Sequence, residues 1–196
     1  MILTIVKCPR KSDEPFIQAS VAFFVKWLFV NDPVVIKRWA AWAKGKTKHQ
    51  LNHENLEIEL TFQRGFLEKY GNWAECTPED DEVRTAGFHR YKNFEIIVDS
   101  KLNLALTLRS IAHELVHIKQ YSQGELKFSS RGVFYTNWKG KTYSDKAIDY
   151  FNYPWEIEAL GRESGMVSRW LQSDIFKRDF AKSYTKRIKT GDDICF

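Results

Sequence analysis

Residues 103–123 read NLALTLRSIAHELVHIKQYSQ, and this stretch decides the fold class. Apolar residues recur there at steps of three and four, which is the spacing of one face of an amphipathic α-helix. The stripe consists of Leu104, Leu108, Ile111, Leu115 and Ile118. The pattern predicts a helix that ends near Gly124 and packs its stripe against a sheet.

The same helix carries the motif His113-Glu114-Leu115-Val116-His117. Two histidines four residues apart project from one face, so both imidazoles can reach one zinc ion at ~2.0–2.1 Å. Glu114 lies about 100° round the helix from His113, so it can border the metal without displacing a ligand. There it can take a proton from a water that zinc activates near neutral pH. The motif therefore predicts a zinc-dependent hydrolase with Glu114 as the catalytic base.

A third metal ligand is expected, because catalytic zinc usually takes three from the protein. No histidine follows His117, so a downstream carboxylate is favoured. The segment PWEIEALGRESGMVSRWLQ, starting at Pro154, predicts a rigid helix able to pack against the histidine-bearing one. Glu156 shares a face of this helix with the small residue Ala159, which permits close approach. Glu156 is the predicted third ligand.

Three other residues remain as alternatives to Glu156. Glu158 lies roughly 160° away after two helical steps, so it cannot face the metal together with Glu156. Cys195 near the C-terminus and His89 upstream are the remaining options. Glu163 shares the face of Glu156 and is predicted to orient one of the histidine rings.

The segments around the motif helix predict strands, helices and one hairpin. Residues 56–62 (LEIELTF) alternate apolar and polar positions and residues 94–98 read FEIIV, so both predict strands. Residues 65–90 are rich in Gly, Pro and acidic residues and predict mostly loop with one short strand. The other expected elements are helices at 16–30 and 33–45, a polar loop at 46–55 with His49 and His53 on the surface, a hairpin at 131–143 turning near Lys139-Gly140, and a basic C-terminal tail with a helix and a frayed end. This order predicts an α+β fold.

The segment TLRSIAHELVHIKQY follows the strand FEIIVDS and precedes a hairpin and YPWEIEALGRE. This arrangement resembles the small zincin-like metallopeptidases of phages and bacteria, distant relatives of the SprT-like and ImmA/IrrE-like proteins. The resemblance covers residues 56–170. It implies a zincin-like fold, with a small mixed sheet on the His-Glu-x-x-His helix and a closing helix that carries a ligand, and it implies peptide-bond hydrolysis. The chain lacks a later histidine and any Cys-x-x-Cys, so the SprT-like role on DNA is not carried over.

Composition limits the organisation and location of the chain. With 196 residues, 43% of them hydrophobic, the sequence predicts one domain: a helical N-terminal part (1–55), a catalytic core (56–170) and a basic tail (171–196). Its three separated cysteines suggest no disulfide framework and fit a reducing compartment. The most apolar stretch, residues 19–30, is too short to cross a membrane. We expect a cytoplasmic monomer, in the host cytoplasm if phage-encoded.

The expected partner is a protein or peptide substrate, bound as an added strand on a sheet edge, for which residues 94–98 are favoured. A second group must stabilise the oxyanion, and the candidates are Tyr143, Tyr150, Tyr153 and Arg162. Two alternatives to a peptidase remain. One is a regulatory protein that uses the scaffold to bind a partner without turnover. The other is a nucleic-acid-associated protease, suggested by the net charge of +5 and the basic tail.

Overall fold

A small mixed β-sheet forms one layer of the molecule. The computed structural model describes residues 1–31, 56–79, 83–85, 88–128, 135–144 and 148–189. Strands β1 (Ile2–Val6), β2 (Glu57–Gln63) and β6 (Asn93–Asp99) are parallel, and β3 (Ala74–Pro78) runs antiparallel to β6. The strand order is β1-β2-β6-β3. The predicted strands at 56–62 and 94–98 are confirmed.

One face of this sheet is apolar because its strands alternate in register. Ile58, Leu60 and Phe62 of β2 are buried, and their register partners on β6 are Phe94, Ile96 and Val98, also buried. Glu57 and Glu59 of β2, on the opposite face, are exposed. Side chains at alternate positions of paired strands share a face, so these residues form a continuous apolar layer for the helices.

Helices cover the apolar face. They are α1 (Glu14–Lys26), which continues as a π-helical turn (Trp27–Asn31), α2 (Phe66–Tyr70), α3 (Leu104–Ser122), α4 (Pro154–Gln172), α5 (Asp174–Asp179) and α6 (Ala181–Lys189), with short 3-10 turns at Lys11–Asp13 and Tyr150–Asn152. Asn103 caps α3, where its side-chain oxygen accepts from Leu106 N at 2.9 Å. The predicted helices at 16–30, at 103–123 and after Pro154 are confirmed. None of the described helices is long and apolar enough to span a bilayer.

Two small sheets accompany the main one. Strands β4 (Val83–Thr85) and β5 (Phe88–Arg90) form a pair, and β7 (Leu126–Phe128), β8 (Tyr135–Trp138) and β9 (Lys141–Ser144) form a three-stranded sheet. Lys139 and Gly140 both have positive φ, 48° and 87°, as a two-residue hairpin turn between β8 and β9 requires. The predicted hairpin turn is therefore confirmed. The predicted helix at 33–45, the loop at 46–55, His49 and His53 lie outside the described residues.

The expectation for residues 65–90 was wrong in part. The segment contains α2 and three strands, and β3 completes the main sheet. Ala74 and Cys76 of β3 face inward, while Glu75 and Thr77 are exposed. A strand of five residues whose inward side chains are small gives little periodic signal. The hydrophobic pattern therefore could not distinguish this strand from a loop. β1, which was not predicted, carries the clearer signal, since ILTIV is rich in β-branched residues.

The basic C-terminal segment is also more than the predicted solvated tail. Helices α5 and α6 place Phe176 and Tyr184 in the main core, where both rings contact Phe16 of α1. Trp170 of α4 joins the same aromatic group. The lysines and arginines between these aromatics are mostly exposed, so the charge pattern hid an amphipathic pair of helices. Residues 190–196, including Cys195, lie outside the described part.

A second, smaller core stabilises the start of α4. It consists of Leu126, Trp138, Tyr153 and Trp155, with Tyr143 packed against it. The rings of Tyr153 and Trp155 stack with centroids 4.4 Å apart. This core anchors the β7–β9 sheet to the residue that immediately precedes Glu156.

Candidate metal and catalytic centre

Helices α3 and α4 pack side by side and bring the three predicted ligands together. The Nε2 atoms of His113 and His117 are 3.2 Å apart. Glu156, in the first turn of α4, has Oε2 at 3.2 Å from His113 Nε2 and Oε1 at 3.4 Å from His117 Nε2. Ala159 is fully buried one turn further along α4, consistent with the close helix approach expected from its small side chain.

This triangle of ligand atoms fits a single metal ion. Ligands bound at ~2.0–2.1 Å around a tetrahedral centre lie about 3.3 Å from one another. The two Nε2 atoms are 3.2 Å apart and lie 3.2 and 3.4 Å from the two different oxygens of Glu156, which is close to that spacing. Among the described residues these three form the one group of histidine, cysteine or carboxylate side chains close enough to hold a metal ion.

The far side of the His113 ring contacts a carboxylate. Its Nδ1 lies 2.8 Å from Oε2 of Glu163, and Arg109 Nε donates to the other Glu163 oxygen. An ionised carboxylate only accepts, so Nδ1 carries a hydrogen and Nε2 faces the ligand triangle. Glu163 thus occupies the ring-orienting position predicted from the sequence.

The far side of the His117 ring contacts an amide. Its Nδ1 lies 2.8 Å from Oε1 of Gln120, whose Nε2 donates to the carbonyl oxygen of Trp155 at 3.0 Å. That second bond fixes the amide orientation, so Oε1 accepts and His117 Nδ1 donates. Gln120 is fully buried and was missed by sequence reasoning. Its signal was a polar residue three positions after His117, within helical contact distance.

Two ring nitrogens and a carboxylate converge at this centre, an arrangement that favours a bound cation or protonated imidazoles. Although burial opposes protonation, the carboxylates of Glu156 and Glu163 raise the pKa of His113 to about 10. The pKa of His117 is also raised, against burial, by its contact with Glu156. The two histidines in turn hold the pKa of Glu156 well below its usual range despite burial.

Glu114 borders the ligand triangle without belonging to it. Its side chain is buried, and this burial raises the pKa of the carboxyl group, while His117 and His113 partly counteract the shift. A general base is most effective when its pKa approaches the working pH, so the shift is in the useful direction. Glu114 thus lies beside the two histidines with its carboxyl group buried.

A cleft of about 320 Å³ opens beside Glu114 and His113. It lies between the first half of α3, the start of β3, and the Tyr150–Asn152 turn with α4. Its lining includes Trp73, Ala74, Ser110, Tyr150, Phe151 and Leu160. The volume falls in the range of small-molecule and side-chain pockets.

Of the four candidates for oxyanion stabilisation, Tyr150 lines this cleft. Its hydroxyl hydrogen-bonds Glu156, and burial followed by the charge of Glu156 raises the pKa of the phenol. Tyr153 is stacked on Trp155 and donates to the carbonyl of Ser144, and Tyr143 packs edge-on against Trp155. The fourth candidate, Arg162, donates to Glu158.

The alternative third ligand Glu158 points away from the triangle. It accepts from Lys119 Nζ at 2.8 Å and from Arg162 Nε at 3.0 Å. Lys119 is itself buried and also contacts Glu125 at 3.0 Å. Glu158 therefore serves as a partner for the buried charge of Lys119. Cys195 and the side chain of His89 lie outside the described set.

The expected docking strand was wrong. Residues 94–98 belong to β6, which is paired on both sides, in parallel with β2 and antiparallel with β3. Both backbone edges of β6 are thus used, and β3 is the outermost described strand on that side. Trp73 O accepts from Asp99 N and Glu79 N donates to Asn93 O, so the odd positions face β6. Ala74 and Cys76 direct their backbone groups outward.

Comparisons with known proteins add no relative. No protein-family model matches the sequence, and no similar curated protein or solved structure was found.

Proposed function

We propose that the chain is a zinc-dependent peptidase that hydrolyses protein or peptide substrates. His113, His117 and Glu156 would hold the zinc, and Glu114 would act as the general base. The observation that carries the proposal is the ligand triangle itself. Both histidines direct their Nε2 atoms at a buried carboxylate, with separations that suit one ion. A general base with a raised pKa borders that triangle, as metal-assisted hydrolysis requires.

The chemistry divides between the metal and the protein. Zinc supplies a Lewis acid that polarises a carbonyl and makes water nucleophilic near neutral pH. Glu114 takes the proton that the attacking water loses and returns it to the amine as the C–N bond breaks. Glu163 and Gln120 hold the two imidazoles in the ligand tautomer throughout. Proton count is conserved, because Glu114 ends each turnover as it began.

Tyr150 is the group best placed to stabilise the carbonyl oxygen as it gains charge. It lies on the cleft wall beside His113 and Glu114. Its raised pKa keeps the hydroxyl protonated near neutral pH, so it can donate. Its partner in this structure is Glu156, and a half-exposed side chain on a short turn can exchange that partner for the substrate oxygen.

The substrate backbone would bind along β3. Ala74 and Cys76 offer outward N–H and C=O groups directly above α3, whose residues include Glu114. An extended peptide can pair with these groups as an added strand, which fixes the scissile bond near the metal. This assigns the docking role to β3 in place of residues 94–98.

The test compares the wild-type protein with the Glu114→Gln variant, both loaded with zinc. Glutamine keeps the size of the side chain but cannot accept the proton. We expect equal zinc content and cleavage of a proteome-derived peptide library slowed ~10²–10⁴-fold in the variant.

Equal cleavage by both proteins would contradict the role of Glu114. A wild-type protein that binds zinc but cuts no peptide would instead indicate a binding protein without turnover. DNA binding that weakens steeply with salt, together with cleavage, would support the nucleic-acid-associated form.

A further inference from the structure

A second cavity lies at the edge of the main sheet where the parallel strands β1, β2 and β6 end. It measures about 200 Å³, and its described lining residues differ from those of the cleft beside Glu114. Its walls come from the loops after β1 and β6 and from the first turns of α1 and α3. Open α/β sheets bind ligands outside the carboxyl ends of their parallel strands, so the cavity stands where a small molecule is expected.

The cavity contains a buried hydroxyl group with no partner. Thr107, in the first turn of α3, lines the cavity and is 5% exposed. Its hydroxyl makes no hydrogen bond with any described residue, yet solvent still reaches that atom, so in this buried side chain it faces the cavity. Buried polar groups in native proteins are normally paired, so an unpaired one that faces a cavity points to a bound partner.

The other polar groups of the lining are mostly hydrogen-bond donors. The Arg10 side chain is exposed at the rim, and its guanidinium forms no ion pair with any described residue. Asn103 caps α3 with its amide oxygen, so its amide N–H groups can donate to a ligand. Both α1 and α3 begin at this edge, and the positive ends of two helix dipoles add to the same preference. Together these groups favour an anion.

The charge of the lining restricts the anion to a single negative charge. Lys101 is already paired with Glu68. Asp13, which accepts from the Ser12 hydroxyl at 3.3 Å, contributes a carboxylate of the protein itself. Within the described lining, Arg10 is thus the one cation left for a ligand. It can balance a monoanion, whereas a phosphate dianion would bring excess negative charge close to Asp13.

The inner wall of the cavity is apolar. It is formed by Ile17 of α1, Phe62 of β2 and Leu104 of α3, and each of these is at most 5% exposed. Such a wall suits a short hydrocarbon chain. The volume is below the ~300–1,000 Å³ of drug-sized pockets, so the occupant is small.

We propose that this cavity binds a short-chain monocarboxylate. The carboxylate pairs with the guanidinium of Arg10, whose planar fork matches two carboxylate oxygens, and accepts from the hydroxyl of Thr107. The alkyl chain packs against Ile17, Phe62 and Leu104. The site uses none of the residues assigned to the metal centre, so the inference is independent of the proposed peptidase activity.

The test is an NMR titration of the full chain with propionate, propionamide and inorganic phosphate, following the backbone amide signals of Ser100 and Asn103. Propionamide has nearly the shape of propionate without its charge. We expect propionate to bind with a Kd of about 1 mM, within what so few atoms can supply, and propionamide to bind at least about tenfold more weakly. At about pH 8, where phosphate is mainly a dianion, phosphate should also bind more weakly than propionate.

Two substitutions and one matched control locate the binding. Arg10→Gln removes the charge partner and should weaken propionate binding by more than about tenfold. Thr107→Val keeps the shape of the side chain but removes the hydroxyl, so binding should weaken about five- to tenfold. Lys11→Gln removes an exposed cation next to Arg10 that does not line the cavity, and it should leave binding unchanged.

Propionate binding that Arg10→Gln and Thr107→Val weaken, and that Lys11→Gln preserves, supports the site. The inference is overturned if propionate gives no saturable shift up to about 50 mM, or if propionamide or phosphate binds as tightly as propionate. It is also overturned if Arg10→Gln has no more effect than Lys11→Gln. Arg10 is exposed, so its variant should fold, and the comparison decides the matter even if Thr107→Val is unstable.

Discussion

The two histidines of the candidate metal site are held by partners of different kinds, although each Nδ1 lies 2.8 Å from its partner. On the charged side, His113 contacts the carboxylate of Glu163, which Arg109 also binds. On the neutral side, His117 contacts the amide of Gln120, which binds the backbone of Trp155. Both partners favour the same tautomer, but only Glu163 is an ionised group.

This difference separates two tasks in one site. The charged side opens onto the cleft, and its carboxylate increases the basicity of His113 as a ligand. The neutral side is fully enclosed and links α3 to the residue before Glu156, so it sets the distance between the helices. We infer that Glu163 chiefly tunes metal affinity, whereas Gln120 chiefly stabilises the folded arrangement.

Removal of either histidine should change zinc binding most, and it does not distinguish the two sides. His113→Ala and His117→Ala each delete one of three ligands, so both should lose zinc affinity by more than the ~10–100-fold typical of changes behind the ligands. Competition with a chelator measures the loss. Glu114→Gln, a change at a neighbouring residue that is not a ligand, is the control and should keep zinc. Full zinc content in both histidine variants would rule out the site.

A substitution on the neutral side should mainly lower the stability of the fold. Gln120→Leu leaves the N–H of His117 and the carbonyl of Trp155 buried without partners, which should lower the free energy of unfolding by ~2–4 kcal/mol. Urea unfolding of the metal-free protein measures this. Gln18→Leu, at an exposed position of α1, is the control and should change stability by less than about 0.5 kcal/mol. A Gln120 variant as stable as that control would show that this link between the helices does not stabilise the fold.

A substitution on the charged side should change the free energy of unfolding least. Glu163→Gln keeps an acceptor for His113 but removes the charge, so zinc affinity should fall at the lower end of the ~10–100-fold range. Arg109 keeps access to solvent, so we expect the free energy of unfolding to change by less than ~1 kcal/mol. If Glu163→Gln destabilises the fold as much as Gln120→Leu, the division of tasks between the two sides is wrong.

The parts of the site that lie within one helix could be predicted from the sequence. The spacing of His113, Glu114 and His117 follows from helical geometry alone, and the stripe from Leu104 to Ile118 predicted α3. Glu156 could be chosen over Glu158 because two helical steps separate their faces. In the structure Glu158 instead neutralises buried Lys119, which is the reason an acid is needed there.

The parts that depend on packing between distant segments could not be predicted. Among the described strands, β3 lies at the edge of the sheet only because it pairs with β6, and no local pattern shows which strand lies outermost. Tyr150 lines the cleft, whereas Tyr143 and Tyr153 pack against Trp155. Gln120 acts through a carbonyl 35 residues later in the chain, a contact visible only once α3 and α4 are placed together.

The ligand triangle can be tested by comparing the zinc affinity of Glu156→Ala with that of Glu158→Ala. We expect Glu156→Ala to lose zinc affinity by more than ~100-fold, since it removes a ligand. Glu158→Ala should lose stability, because Lys119 then keeps fewer partners for its buried charge, but it should bind zinc nearly as well as the wild type. A large loss of affinity in Glu158→Ala, with affinity retained in Glu156→Ala, would contradict the ligand triangle.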